Sequence, residues 1–165
     1  MTLFRRRDGQ IVATLQRQEA QVLRQCVTEM TALLEDEPDR DDPAVERLFP
    51  DVYPEDPIEA AEFRRFTEAD LKAAKLDQAR VVLETLLPNG GEVRLDENAA
   101  DMWLRAIADV RLVLGTRLGV EDDTDLEAEL DAAVGRDPSS PRANQLSVYF
   151  YLGILLESLV DTVAG

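Results

Sequence analysis

Apolar residues recur along this chain with two periods, and the switch from one to the other marks its elements. Leu3 to Arg7 and Ile11 to Leu15 flank Asp8-Gly9-Gln10, and an Asp-Gly turn between short alternating runs predicts a β-hairpin. From Gln16 to Leu34 the period lengthens. Leu23, Cys26, Val27, Met30, Leu33 and Leu34 fall at the spacing of a single buried helical face. Pro57 suits the first turn of a further helix running to about Phe66. Thr67 with Asp70 three residues on has the form of a weak capping box, which predicts a new helix through Leu71, Ala74, Ala79, Val82, Leu83 and Leu86. Pro88-Asn89-Gly90-Gly91 ends it, and Glu92 to Leu95 reads as a third strand, able to pair with the hairpin because two strands alone are marginal.

Asp96 is a good N-cap for a long helix with Trp103, Ala106, Ile107, Val110, Val113 and Leu114 as its inner stripe and Gly119 as its stop. A short helix capped near Thr124 follows, then a break at Asp137-Pro-Ser-Ser-Pro141. The last helix, from about Arg142 to Thr162, is apolar on most sides, which places it at the centre of the bundle or on a self-association face. The expected fold is mostly α: a helical bundle with a small antiparallel sheet made of the N-terminal hairpin plus one later strand. With 165 residues the chain reads as a single domain over 1–165. A homodimer through Leu146 to Val163 is a further expectation.

Charge changes this picture in two places. The chain carries 34 acidic and 18 basic residues, a formal charge of −16. Glu35 to Glu62 holds twelve acids against two bases, and Glu121 to Asp137 holds eight against one, so the rest of the chain is close to neutral. These are acidic connecting segments, 35–57 and 121–137. The first carries five of the eight prolines and should be an extended connection pinned where Leu48, Phe49, Val52 and Tyr53 reach the body. Concentrated charge of this kind suggests an interaction surface more than an active site.

Several functions are disfavoured on chemistry. Phosphate repels a chain at −16, so no nucleic acid is expected as a partner, and Arg5-Arg6-Arg7 is too short a basic run to reverse this. Those arginines read as a solvated strand face or as a dock for the chain's own acids. The 45% apolar content includes neither a signal-peptide pattern nor an expected membrane span, so the chain reads as cytoplasmic. One cysteine, Cys26, precludes an internal disulfide and lies on a core face. With no histidine, Ser-His-Asp, Cys-His and HExxH chemistries are absent. The calcium-loop pattern fails as well: counted from Asp123, Ala128 takes the glycine position and Val134 the final glutamate position. No catalytic, cofactor-binding or metal residue is therefore named.

The candidate interaction residues are Asp51, Tyr53, Asp56, Glu62, Arg64, Arg65, Arg111 and Arg117. Arg64 and Arg65 end the predicted helix beside Phe63 and Phe66, while Arg105, Arg111 and Arg117, six apart, do not share one stripe. Because arginine clamps carboxylates bidentately, these groups either fasten the acidic segments to the body or display a surface of both signs.

Three stretches carry a resemblance: Leu48 to Arg65 (LFPDVYPEDPIEAAEFRR), Trp103 to Gly119 (WLRAIADVRLVLGTRLG) and Tyr151 to Val160 (YLGILLESLV). Together they resemble an actinobacterial domain-of-unknown-function family (DUF2017-type) commonly encoded beside the ClpS proteolysis adaptor. The resemblance implies cytoplasmic regulation near regulated proteolysis or stress-responsive transcription and supplies no catalytic or ligand residues. Redox regulation within the family would need a cysteine pair, and this chain has one cysteine. The expected function is a non-enzymatic regulatory or adaptor protein that contacts a basic protein partner. A metal-dependent carboxylate hydrolase, or a stress-responsive transcriptional regulator touching DNA directly, are the alternatives.

Overall fold

The computed structural model describes residues 3–50 and 55–165. Strands β1 (Arg5–Arg7) and β2 (Gln10–Leu15) are followed by α1 (Arg17–Glu35), α2 (Pro43–Leu48), α3 (Pro57–Thr85), β3 (Gly91–Leu95), α4 (Glu97–Leu118), α5 (Leu126–Arg136) and α6 (Pro141–Ala164). The expected class, mostly helical with a small antiparallel sheet, is what the structure has. β2 is the central strand. It pairs with β1 in the register Arg7↔Gln10 and with β3 in the register Ala13↔Val93. Asp8 (φ 53°) and Gly9 (φ 79°) both lie in the left-handed region, as a two-residue type I′ hairpin requires, so the Asp-Gly signal acts as read.

Ile11, Ala13 and Leu15 of β2, with Val93 and Leu95 opposite, form the inner face of the sheet. Over them pack the buried stripes of α1 (Leu23, Val27, Met30, Leu34) and α4 (Trp103, Ala106, Ile107, Val110), together with Leu152, Leu155 and Leu159 of α6. Trp103 is at the centre, 0% exposed; its ring meets Phe4 edge-on at 6.0 Å and its Nε1 donates to Thr85 Oγ1 at 2.7 Å. α6 is long and apolar enough by composition to cross a membrane; here it packs on α4 and α5. Its Thr162 hydroxyl donates to the Phe4 carbonyl, and the Ser158 hydroxyl accepts from the Phe4 N–H. Phe150 and Val160 are its exposed large apolar side chains. A satellite cluster of Ala133, Ala143 and Leu146 holds α5 against α6.

Two helix starts differ from expectation. α3 runs unbroken for 29 residues through Thr67, so no helix ends at Phe66. No glycine or proline interrupts Ile58 to Leu87, and the Thr67 hydroxyl donates back to the Phe63 carbonyl instead of capping. Reciprocal capping is found instead at α1, where Glu19 Oε1 accepts from the Gln16 N–H at 2.9 Å. At α5 the cap is Asp125, which accepts from Ala128 N, while Thr124 Oγ1 accepts from Glu121 N. Gly119, at φ 73°, ends α4 as expected.

Candidate functional site

The acidic segments are treated differently by the fold. In the first, α2 drives Ala44, Val45, Leu48 and then Phe49 into the interior. Asp42 caps α2 by accepting from Ala44 N at 3.0 Å, and it also accepts both ends of the Arg117 guanidinium, at 2.6 and 2.9 Å. That contact holds the Asp42 carboxyl below the usual aspartate range, chiefly through the Arg117 hydrogen bond. Arg40 donates to the Phe49 carbonyl at 2.6 Å and pairs with Glu68 of α3. Arg117 is thus a fastener turned inward to the first segment. Asp51 and Tyr53 lie outside the described residues.

The second segment turns its charge out. Asp122, Asp123, Glu127 and Asp131 are exposed with no ion pair among the described residues, and Glu129 meets Arg142 at 3.4 Å. Of the Arg5-Arg6-Arg7 run, Arg6 pairs with Glu97 and Arg7 with Glu92, which ties β1 to α4 and β3. Arg7 and Arg94 together pull Glu92 down to about 2.

Asp56, Glu62, Arg64 and Arg65 are brought together on the first half of α3. Asp56 caps the helix, accepting from Ile58 N and Glu59 N at 3.1 Å. Ile58, Glu62, Arg65 and Phe66 follow at i, i+4, i+7 and i+8, one face of the helix. Ile58 is 74% and Phe66 82% exposed, and Phe63 is partly exposed beside them. Two large apolar side chains this open on one charged helical face form a stripe that the described residues leave uncovered. The i, i+4, i+8 spacing lies wholly within the helix expected from Pro57 to Phe66, but periodicity alone does not say whether a neighbour covers that face. The second half of α3 is anchored by Ala79 and Val82 and by Lys75, whose Nζ lies 2.8 Å from Asp109 Oδ2 in the most enclosed ion pair among the described residues.

Arg111 stands apart from the α3 group. Its Cζ lies 4.5 Å over the Tyr149 ring centroid, and its buried Nε has no hydrogen-bond partner among the described residues. Two glycines make room for this α4–α6 crossing: a Cβ at Gly115 would sit 2.9 Å from Tyr149 Cε2, and one at Gly153 would sit 3.3 Å from Arg111 Nε. Arg111 is therefore a packing group between helices and pairs with no acidic side chain among the described residues. Cys26 is half-buried, and burial, with Glu29 adding to it, pushes its thiol up to about 11, so it is protonated and slow to react near neutrality. Among the described residues no group of three or more His, Cys, Asp or Glu side chains is arranged to hold a metal ion.

Comparison with known proteins agrees with the fold-wide spread of the quoted motifs. The oxidative stress regulator AosR of Mycobacterium tuberculosis (strain ATCC 25618 / H37Rv) is 30% identical over 138 residues, covering 75% of this chain and 59% of the relative. The putative oxidative stress regulator AosR of Mycobacterium leprae (strain TN) is 31% identical over 134 residues, covering 73% of this chain and 58% of the relative. The chain thus spans less than two thirds of the length of these relatives. No solved structure matches it. The model of the family described as Domain of unknown function (DUF2017) matches residues 1–163, and the chain belongs to that family.

Proposed function

We propose that this protein is a non-enzymatic regulator in a stress response, acting through contact with a basic protein partner. The names of its relatives, oxidative stress regulators, support the regulatory role. One observation carries the mode of action: the exposed stripe of Ile58 and Phe66, on one face of α3 with Glu62 and Arg65. Apolar side chains within a charged rim are what a protein-facing surface needs, because the apolar centre supplies affinity and the charges set the register. The outward acids of the second segment favour a partner of opposite sign and hasten its approach.

The stripe is tested by crosslinking and affinity capture from native extract, comparing wild type with an Ile58→Ser/Phe66→Ser variant at low and high salt. Both side chains are exposed, so the variant should unfold within about 0.5 kcal/mol of wild type. The expected result is a partner retained by wild type, weakened by salt and lost from the variant. Capture of nothing, or capture indifferent to both salt and variant, sinks the reading.

A further inference from the structure

A second surface is independent of the α3 stripe. α1 and α6 both pack on α4, and the Tyr151 hydroxyl of α6 donates to Glu19 Oε2 of α1 at 2.8 Å; beyond that bridge the gap between them is a groove floored by α4. Three concavities of about 190, 190 and 450 Å³ are continuous: the first two share Val22, Asn144 and Val148, and the last two share Cys26, Glu29, Leu114 and Gln145. Beyond the Tyr151–Glu19 bridge the groove follows α1 from Val22 to Asp36, about 21 Å at the helical rise.

Its α1 wall is a second helical stripe beside the buried one. Val22, Cys26, Glu29, Leu33 and Asp36 recur at i, i+4, i+7, i+11 and i+14, with the apolar members only half-covered. Val113 and Leu114 of α4 and Val148 of α6 complete an apolar floor. The open charges along the rim are Glu29 and Asp36, since Glu19 is engaged by the Tyr151 hydroxyl and the Gln16 N–H, and Arg117 by Asp42. The groove is long, straight, apolar below and acidic at its edge.

We infer that it receives an amphipathic helix of about four turns from the partner, apolar on one face with Lys or Arg flanking that face. This rests on the reading of the chain as a protein that binds a basic partner, and it names the element of the partner that docks. An acidic helix would be repelled by Glu29 and Asp36, and a peptide without a helical apolar face could not cover the floor.

Cys26 on that floor provides a local reporter. The probe is a synthetic 18-residue Leu/Lys amphipathic helix, with a scrambled peptide of the same composition and a Leu/Glu version as controls. Alkylation of Cys26 is followed at pH 9, where the slow thiol is still measurable. The expected result is at least tenfold slower alkylation with the Leu/Lys helix alone, with protection lost in Leu33→Glu and weakened at least threefold in Glu29→Gln/Asp36→Asn, each checked for folding by circular dichroism. Equal protection by either control peptide, or insensitivity to both variants, overturns the inference. Protection abolished by neutralising Asp122, Asp123, Glu127 and Asp131 instead would place the peptide on α5 and overturn it too. So would a protein dimer, seen by sedimentation, that Leu33→Glu dissociates, since a second copy would then be the occupant. In the capture experiment, a salt-sensitive partner still retained by Leu33→Glu refutes the groove and leaves the proposed function standing. If the peptide protects while extract yields no partner, the proposed function fails and the groove stands.

Discussion

The two acidic segments are alike in their excess of acids, but only the first is seated in the main core. Each uses aspartates to cap a short helix, Asp42 on α2 and Asp125 on α5. What separates them is the apolar text between the acids. α2 and its C-cap bury Ala44, Val45, Leu48 and Phe49 in the main core, whereas α5 buries Ala133 alone, with Leu126 and Leu130 half-covered beside it. Once α2 is seated, Asp42 lies beside Arg117 and its charge is neutralised; α5 brings no comparable cation to Asp122 or Asp123. Anchoring decides the fate of Asp42, which it brings to Arg117; Glu35, Asp36, Glu37, Asp39, Asp41 and Glu46 of the same segment stay exposed, as do Asp122, Asp123, Glu127 and Asp131 of the second, where no such pair forms among the described residues.

The sharpest way to break this comparison is to remove the anchor. Leu48→Ala should destabilise the protein by about 2–5 kcal/mol, the cost of a lost buried leucine and its cavity, measured by urea denaturation. Leu130→Ala, at a half-covered position, should cost about 1 kcal/mol. Equal effects would mean that both segments are equally anchored and that the pairing of Asp42 has another origin.

A smaller effect separates capping from pairing. Asp125→Ala removes a cap alone and should cost about 1 kcal/mol. Asp42→Ala removes a cap and a bidentate partner, so it should cost up to about 1 kcal/mol more, and Arg117→Met should reproduce only that difference. If Asp42→Ala and Asp125→Ala match, the Arg117 pair adds nothing to stability.

Much of the fold was legible because its signals are local. The Asp-Gly hairpin, the α1 and α4 stripes and the Gly119 stop each depend on residues within a few positions. Thr67 was misread because threonine three residues before an acid looks the same whether it caps a helix or back-bonds inside one; the absence of a breaker from Ile58 to Leu87 was the better guide. The candidate site was legible in part. Asp56, Glu62, Arg64 and Arg65 share one helix and could be grouped from sequence, but the partners of Arg117 and Arg111 could not. Arg117 meets Asp42 across 75 positions, and Arg111 stacks on Tyr149 where two glycines admit it. The groove was hidden for another reason: its α1 stripe lies beside the buried stripe in the same helix, and periodicity does not say which of two adjacent faces a neighbour covers.

Neutralising the outward acids should barely affect folding. Asp122→Asn/Asp123→Asn/Glu127→Gln/Asp131→Asn should shift stability by no more than about 0.5 kcal/mol for each position, because exposed charges far from any partner contribute little. The same variant should lose most of the salt dependence of partner capture. A large loss of stability would show these carboxylates to be structural and would erase the distinction between the segments.

The finest test is titration, since among the described residues each segment has one carboxyl held below its ordinary range, for a different reason. Asp42 is lowered first by its hydrogen bond from Arg117, and Asp137 first by the Ser139 hydroxyl, with the Ser139 N–H adding to it. Carboxyl chemical shifts followed against pH should therefore respond to separate variants. Arg117→Met should raise Asp42 toward the ordinary range and leave Asp137 unchanged, and Ser139→Ala should do the reverse. The sign of the stability effect follows. Because the folded carboxyl is depressed, the Asp42 pair stabilises fully above the unfolded aspartate value, and that contribution disappears as pH falls through the lower folded value. Wild type and Arg117→Met should thus differ near neutrality and converge in acid, while Ser139→Ala, which touches only a local turn, should follow wild type closely throughout. If Arg117→Met moves Asp137 as much as Asp42, the two segments titrate as one unit, and the division between an anchored and an outward segment fails at its most sensitive point.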